Sequence, residues 1–253
     1  MKASKLNIGV IGAGQIGGTL IRQYTKAGHN VKMTNASGLD KLKHLASETG
    51  AHAGTLNDII TDVDVIVLSI PFVQVPELPK HAFRDRHSSI PIIDTCNYYP
   101  IRDGLIKEVE EGMLESIWVS NHIQRPVIKA YNNIFAESLI YSGKPKGDPN
   151  RIALPISGDD KNANEIVAML IDTSGFDSLD YGVLKESWKQ QPGSPVYCTD
   201  LTLSQLQKSL AIASPKGLPE KRELGLKYIL ENGQEKWMDT VLHNRTIYES
   251  VLQ

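Results

Sequence analysis

A glycine triplet at a strand-to-helix junction constrains this chain more than any other feature. Gly12-Ala13-Gly14-Gln15-Ile16-Gly17 follows directly on the short apolar run Asn7-Ile8-Gly9-Val10-Ile11. Behind it, Ile16, Leu20, Ile21 and Tyr24 recur at helical spacing as far as Gly28, where a glycine stop is expected. GxGxxG by itself is weak. Set between a buried strand and an amphipathic helix, it points to a dinucleotide. Gly12 permits the tight turn, Gly14 lets the backbone approach a pyrophosphate, and Gly17 lets the helix pack closely on the sheet. Ala13, Gln15 and Ile16 complete the loop, and the helix end offers amide groups and a positive dipole to the phosphates. The competing reading is an ordinary glycine-rich turn.

The pattern that follows alternates strands with helices. Val31–Thr34 reads as a strand, Leu39–Thr49 as a helix ended by Gly50, and Thr55 as the cap of a short helix. Val63–Ile70 is the most strand-like segment. Ile90–Asp94 and Val127–Tyr131 follow as strands around a helix-compatible stretch, Asp103–Glu115. A last β-α-β unit fits Ile152–Ile156, Asp160–Thr173 and Phe176–Leu179. This predicts an α/β fold, a Rossmann doubly wound parallel sheet, with a small and mainly helical C-terminal part. The boundary is placed near Gly182, giving a nucleotide-binding domain over 1–182 and a smaller domain over 183–253. In the latter, Leu201–Ala213 and Glu220–Glu231 read as helices.

Composition narrows the function. The chain has 253 residues, and 27 Lys plus Arg against 29 Asp plus Glu leave a net charge of -2. That balance argues against a nucleic-acid or anionic-membrane partner. The longest apolar stretch is too short for a bilayer. Two cysteines, Cys96 and Cys198, make neither a disulfide scaffold nor a zinc site, so no metal is expected. Met1–Lys5 lacks a signal-peptide run behind it, so a cytoplasmic location is expected.

The end of the second strand normally selects between NAD and NADP, because a carboxylate there binds the ribose hydroxyls and repels a 2′-phosphate. Thr34-Asn35-Ala36-Ser37-Gly38 contains none, while Lys41 and Lys43 lie nearby. This favours NADP over NAD. Asp40, the nearest acid, reads as a first-turn residue of the next helix.

Taken in order, the nucleotide loop, Ser69-Ile70-Pro71-Phe72, Val127-Ile128-Lys129-Ala130-Tyr131-Asn132-Asn133-Ile134, Pro155-Ile156-Ser157-Gly158-Asp159-Asp160 and Phe176–Leu184 resemble a known family. The chain resembles the NADP oxidoreductases dependent on coenzyme F420, a deazaflavin, and the related cytosolic domains of six-transmembrane metalloreductases. The resemblance covers roughly Asn7 to Leu184. It implies a Rossmann domain with a small C-terminal domain, commonly a homodimer. It places the adenine-ribose phosphate near Thr34, Asn35, Ala36 and Ser37, and the nicotinamide ribose beside Ser69, Ile70 and Pro71. Asn132 and Asn133 then line the nicotinamide and acceptor pocket. The acceptor implied is a flavin or coenzyme F420.

Hydride transfer between two stacked rings needs orientation and dryness rather than a catalytic side chain. A small carbonyl or imine substrate would need a proton-handling group as well. His122 reads as a surface or capping residue, Lys129 as a partly exposed structural lysine able to touch substrate, and Cys198 as a buried thiol. Cys96 lies just past a strand end, and Phe72 leans towards the pocket. Trp188, Gln190, Gln191 and Tyr197 either cover the acceptor or pin the C-terminal helices. No catalytic residue is assigned. Three readings stand: reduction of a flavin-type acceptor, reduction of a small carbonyl or imine, and a sensor module that binds NADP(H) without turnover.

Overall fold

The computed structural model describes residues 5–84 and 89–253; the N-terminal residues Met1 to Ser4 read above lie outside them. The sheet strands are β1 (Asn7–Ile11), β2 (Asn30–Thr34), β3 (His52–Ala53), β4 (Val65–Leu68), β5 (Ile92–Asp94), β6 (Ile128–Lys129), β7 (Ala153–Ser157) and β8 (Asp177–Gly182). They lie in the order β3-β2-β1-β4-β5-β6-β7-β8. The order reverses direction at β1, where the chain crosses from one side of the sheet to the other. Such a switch point leaves a crevice at the carboxyl ends of the strands.

Helices cover both faces. In chain order they are α1 (Gln15–Lys26), α2 (Lys43–Thr49), α3 (Leu56–Ile60), α4 (Lys80–Arg84), α5 (Pro100–Asp103), α6 (Lys107–Glu110), α7 (Glu115–Ile123), α8 (Ala136–Tyr141), α9 (Lys161–Thr173), α10 (Leu203–Ile212), α11 (Leu218–Asn232) and α12 (Trp237–Ile247). The strands explain why two layers are needed. Val65 and Val67 of β4 pack in one hydrophobic cluster, with Leu20, Ile21 and Tyr24 of α1 and Val167 of α9. Ile66 and Leu68 pack in a second, with Ile59 of α3 and Trp118 and Val119 of α7. Alternate side chains point to opposite faces, so a strand apolar at every position demands cover on both.

The fold is the expected Rossmann-like α/β architecture with a helical C-terminal part, and the differences are local. β6 and β7 pair antiparallel, with Lys129 opposite Ser157, so the parallel order is broken at one seam. After β6 the chain makes only α8 and a loop before pairing again, and an antiparallel return needs no crossover along the sheet. β7 and β8 are parallel around α9, whose N-terminus Asp160 caps by accepting from the amides of Asn162 and Ala163.

The stretch Asp103–Glu115 is not one helix. Gly104 and Gly112 adopt positive φ of 73° and 103° and split it, and the longer helix is α7 beyond. The helix expected over Leu39–Thr49 begins as a 3-10 turn, Leu39–Leu42, before α2. The C-terminal part returns to the sheet: Ala153 N–H donates to Leu201 O at 2.8 Å, and Ile152 bridges Thr202.

Candidate active site

The glycine loop has a separate geometric reason at each position. Gly12 has φ 99°, and a Cβ there would lie 2.0 Å from the carbonyl oxygen of Ser69, just past β4. A Cβ on Gly17 would lie 2.0 Å from the oxygen of Gly12, because the first turn of α1 rests on the loop. Gly14 differs. Its φ of -72° suits any residue, and a Cβ there would meet nothing within 4 Å. Among the described residues, no neighbour requires glycine at this position. α1 also starts without a side-chain cap and without an acid in its first turn. Its leading amides and dipole are left to an anion.

Two cavities lie at the carboxyl ends of the strands near this loop. The first, about 360 Å³, is bounded by Gly14, Gln15 and Ile16, by Ser69, Ile70 and Pro71, by Thr95, Cys96 and Asn97 beyond β5, and by Tyr131 and Asn132 beyond β6. Its other wall comes from the C-terminal part, with Tyr197, Cys198, Gly225 of α11 and Tyr248. The second, about 320 Å³, is lined by Thr34, Asn35 and Ala36 with Gln74 and Leu78. Ile70 lines both and joins them.

The fold thus gathers most of the residues read from the sequence. Gly12, Ala13 and Gly17 form the turn itself, and Gly14 faces the first cavity. Ser37 is exposed and lines neither cavity. Asp40 is paired with Lys43 at 2.6 Å on the surface, and the carboxylate lining the second cavity, Glu77, comes from a 3-10 turn after β4 rather than from β2.

Beneath the first cavity lies a buried polar floor. Lys129 is fully buried, not partly exposed: three neighbouring oxygens draw its ammonium inward. Its Nζ lies 3.2 Å from Asp94 Oδ2 and 3.8 Å from Glu115 Oε2, and it donates to the carbonyl oxygen of Cys96. Asp94 also accepts from Ser116 Oγ at 2.7 Å and from the Cys96 amide at 2.9 Å. Burial pushes the Glu115 carboxyl up to about 7, against the opposing pull of Lys129. Lys129 therefore holds the Cys96–Asn97 wall from below and does not line the cavity.

Asn132 lines the cavity with its amide already engaged. Its Nδ2 donates to Asn97 Oδ1 and to the Gln190 carbonyl, and its Oδ1 accepts from Gln190 Nε2 at 3.0 Å. Gln190 also donates to Lys129 O and accepts from Ser157 Oγ. In the glutamine-rich connector, Gln190 pins the C-terminal part to β6 and β7, and Tyr197 reaches the cavity. Trp188 and Gln191 line neither cavity.

Phe72 is fully buried instead of leaning into the pocket. It stacks on Trp118 at 4.4 Å, because α7 covers that face of the sheet. His122 turns Nδ1 to the Trp118 carbonyl at 2.8 Å and lies in neither cavity. Burial raises the thiols of Cys96 and Cys198 well above their ordinary range, which leaves both poor nucleophiles.

Sequence reasoning did not anticipate Tyr99, Arg102, Asn244 or Tyr248, which complete the first cavity. They come from distant segments that share no motif. Among the described residues, no group of three His, Cys, Asp or Glu is placed to hold a metal, and no helix is long and apolar enough to cross a membrane.

Residues 7–98 match the family model of the NADP oxidoreductases that depend on coenzyme F420. The resemblance read from the sequence is borne out over this segment, which runs from β1 to the wall beyond β5. A curated relative, protein YjhV of Escherichia coli K12, is 30% identical over 90 residues, or 36% of this chain. The match spans 58% of that relative's length.

Among solved structures, the hypothetical protein SMa0349 of Sinorhizobium meliloti superposes with a TM-score of 0.66. It is 26% identical over 79% of this chain and 96% of its own. A protein from Arthrobacter sp. FB24, proposed as an F420-dependent NADP reductase, gives 0.60 at 18% identity, over 72% and 87%. A reductive aminase from Aspergillus terreus, in complex with NADPH, gives 0.50 at 14% identity, over 71% and 56%. The last two show the shared Rossmann fold.

Proposed function

We propose that this protein is an NADP-dependent oxidoreductase that passes hydride between the nicotinamide and a flavin or deazaflavin acceptor. The observation that carries the cofactor half is Gly14. A glycine with ordinary φ and empty space around its Cβ position is explained by a ligand that comes into contact with the backbone there.

The residues present fit NADP. The amides at the start of α1 would hold the pyrophosphate, Thr34, Asn35 and Ala36 the adenosine end, and Ser69, Ile70 and Pro71 the nicotinamide ribose. When bound, the nicotinamide supplies or accepts a hydride at its C4. The chain's own part is to orient it and exclude water. Ile70 and Pro71 wall the first cavity on one side, and Tyr197, Tyr248 and α11 wall it on the other. The family match at residues 7–98 supports NADP, and the aromatic C-terminal wall supports a flat acceptor.

A second reading, reduction of a small carbonyl or imine, is favoured by one contact. The hydroxyls of Tyr99 and Tyr197 meet at 2.8 Å in the same cavity, where such a substrate would need a proton. Stopped-flow oxidation of NADPH against FMN, FAD, deazaflavin and a carbonyl and imine panel separates the two. Fast single-turnover oxidation by a flavin-type ring is expected. NADPH binding with no oxidation by any of them would leave a sensor module instead.

A further inference from the structure

Tyr197 sits on an irregular segment that is held at considerable conformational cost. Cys198 and Asp200, neither of them glycine, adopt φ of 52° and 49°. Side chains in the left-handed region destabilise a fold unless their surroundings impose the conformation, and such strain gathers at functional sites. Here three residues impose it. Asn133 exchanges two bonds with the segment, its carbonyl accepting from the Cys198 amide at 2.9 Å and its Nδ2 donating to Val196 O at 3.1 Å. Asn244 donates to Cys198 O, and Arg245 donates to the carbonyls of Thr199 and Asp200. Across the cavity Tyr131, another residue with positive φ, precedes Asn132.

The strained segment brings Tyr197 to Tyr99. Tyr99 Oη donates to Tyr197 Oη at 2.8 Å, and both residues line the first cavity. A hydroxyl that accepts one bond keeps its own proton to give. The neighbouring competitor for that proton is the Cys198 sulfur, a weak acceptor. Burial raises both phenols well above their usual range, so each stands as a neutral donor.

We infer that Tyr197, supplied by Tyr99, is the proton donor to the acceptor, whose reducible group bears an oxygen or ring nitrogen conjugated to the atom that takes the hydride. This inference rests on the oxidoreductase reading. The balance is NADPH + H⁺ + acceptor giving NADP⁺ + acceptor-H₂. Hydride adds two electrons to the unsaturated acceptor atom, and the π pair moves to the oxygen or ring nitrogen. That atom takes the Tyr197 proton, Tyr99 passes its proton to Tyr197, and water restores the proton on Tyr99. A carbonyl and a flavin-type ring share this chemistry.

The test uses the full chain with Tyr197→Phe and Tyr99→Phe, which keep the packing of both rings. Single-turnover NADPH oxidation is measured with FMN, deazaflavin, cyclohexanone and a cyclic imine, in H₂O and D₂O, beside NADPH affinity by fluorescence. Tyr197→Phe is expected to slow oxidation by at least ~100-fold and Tyr99→Phe by about tenfold, with NADPH affinity and melting temperature unchanged. The solvent isotope effect of the wild type disappears in Tyr197→Phe. With 3-fluorotyrosine at 197, its fluorine resonance shifts when the productive acceptor joins the NADP⁺-loaded protein.

A Tyr197→Phe rate within twofold of wild type, or an unmoved resonance, overturns the inference alone. Failure of the wild type to bind NADPH, or to oxidise it with any acceptor, overturns the oxidoreductase reading and the inference with it.

Discussion

Asp94 and Lys129 face each other at 3.2 Å with neither side chain exposed to solvent. The pair ties the end of β5 to β6, and Lys129 extends the tie to the Cys96 carbonyl at the cavity wall. It is structural in position and close to the site in consequence. Removing one partner would strand a buried charge, an outcome far costlier than losing a surface ion pair.

Lys129→Met is therefore expected to destabilise the protein by about 3–5 kcal/mol. At this chain length the melting temperature should fall on the order of 10 °C. The double variant Asp94→Asn/Lys129→Met should recover part of the loss, since the Asp94 charge is then removed together with its partner. Thermal unfolding of the three variants checks this. A Lys129→Met variant of unchanged stability and abolished turnover would instead give the lysine a direct role in chemistry.

Glu115 gives the protein a pH-dependent stability term of definite sign. Burial raises its folded carboxyl to about 7, above the ordinary glutamate range, so the folded state holds the proton more tightly than the unfolded chain. Its contribution is complete below about pH 4.5 and declines as pH rises through about 7, by roughly 3 kcal/mol in all. Asp200, raised to about 6 by burial, acts in the same direction. Urea unfolding at pH 5 and pH 8 should show a loss of stability at the higher pH, and Glu115→Gln should shrink the difference. An unchanged difference would place the titration elsewhere.

Gly14 and Gly12 should separate binding from folding. Gly14→Leu is expected to abolish NADPH binding with the melting temperature held within a few degrees, because a Cβ there meets no described atom within 4 Å and the position borders the first cavity. Gly12→Ala should lower stability by about 2 kcal/mol or more, since its Cβ meets the Ser69 carbonyl and its φ is positive. NADPH titration with calorimetry on both variants tests the assignment. Retained affinity in Gly14→Leu would move the pyrophosphate away from this loop.

Asn35 follows β2 directly, lines the second cavity and keeps its Oδ1 buried without a hydrogen-bond partner among the described residues. Asn35→Asp changes charge with almost no change in shape. It should shift the ratio of dissociation constants by about tenfold or more towards NADH, because a carboxylate there repels the 2′-phosphate. A ratio that stays put would locate the 2′-phosphate elsewhere.

Local pattern carried the N-terminal strand–turn–helix unit of this protein. The order of residues from Asn7 to Gly17 specifies a strand, a turn and a helix whose ends meet, and each glycine has a reason that acts over a few ångströms. The apolar run around β4 likewise specifies a strand covered on both faces, because side-chain alternation leaves no face for water.

Other features depended on contacts between segments far apart in the chain. The burial of Lys129 follows from Asp94, 35 positions away, and from Glu115 on α7, and no spacing rule connects them. Phe72 reads as a pocket residue until α7 places Trp118 against it. The tyrosine wall of the first cavity arises only when β6, α5 and the segment after Pro195 converge, bringing Tyr99 to Tyr197 across 98 positions. Sequence alone determined that a glycine loop forms between β1 and α1 and where it lies, since its determinants are neighbours in the chain. Tertiary structure decided which side chains line the first cavity, because burial, charge pairing and the aim of a hydroxyl are properties of residues made neighbours by packing.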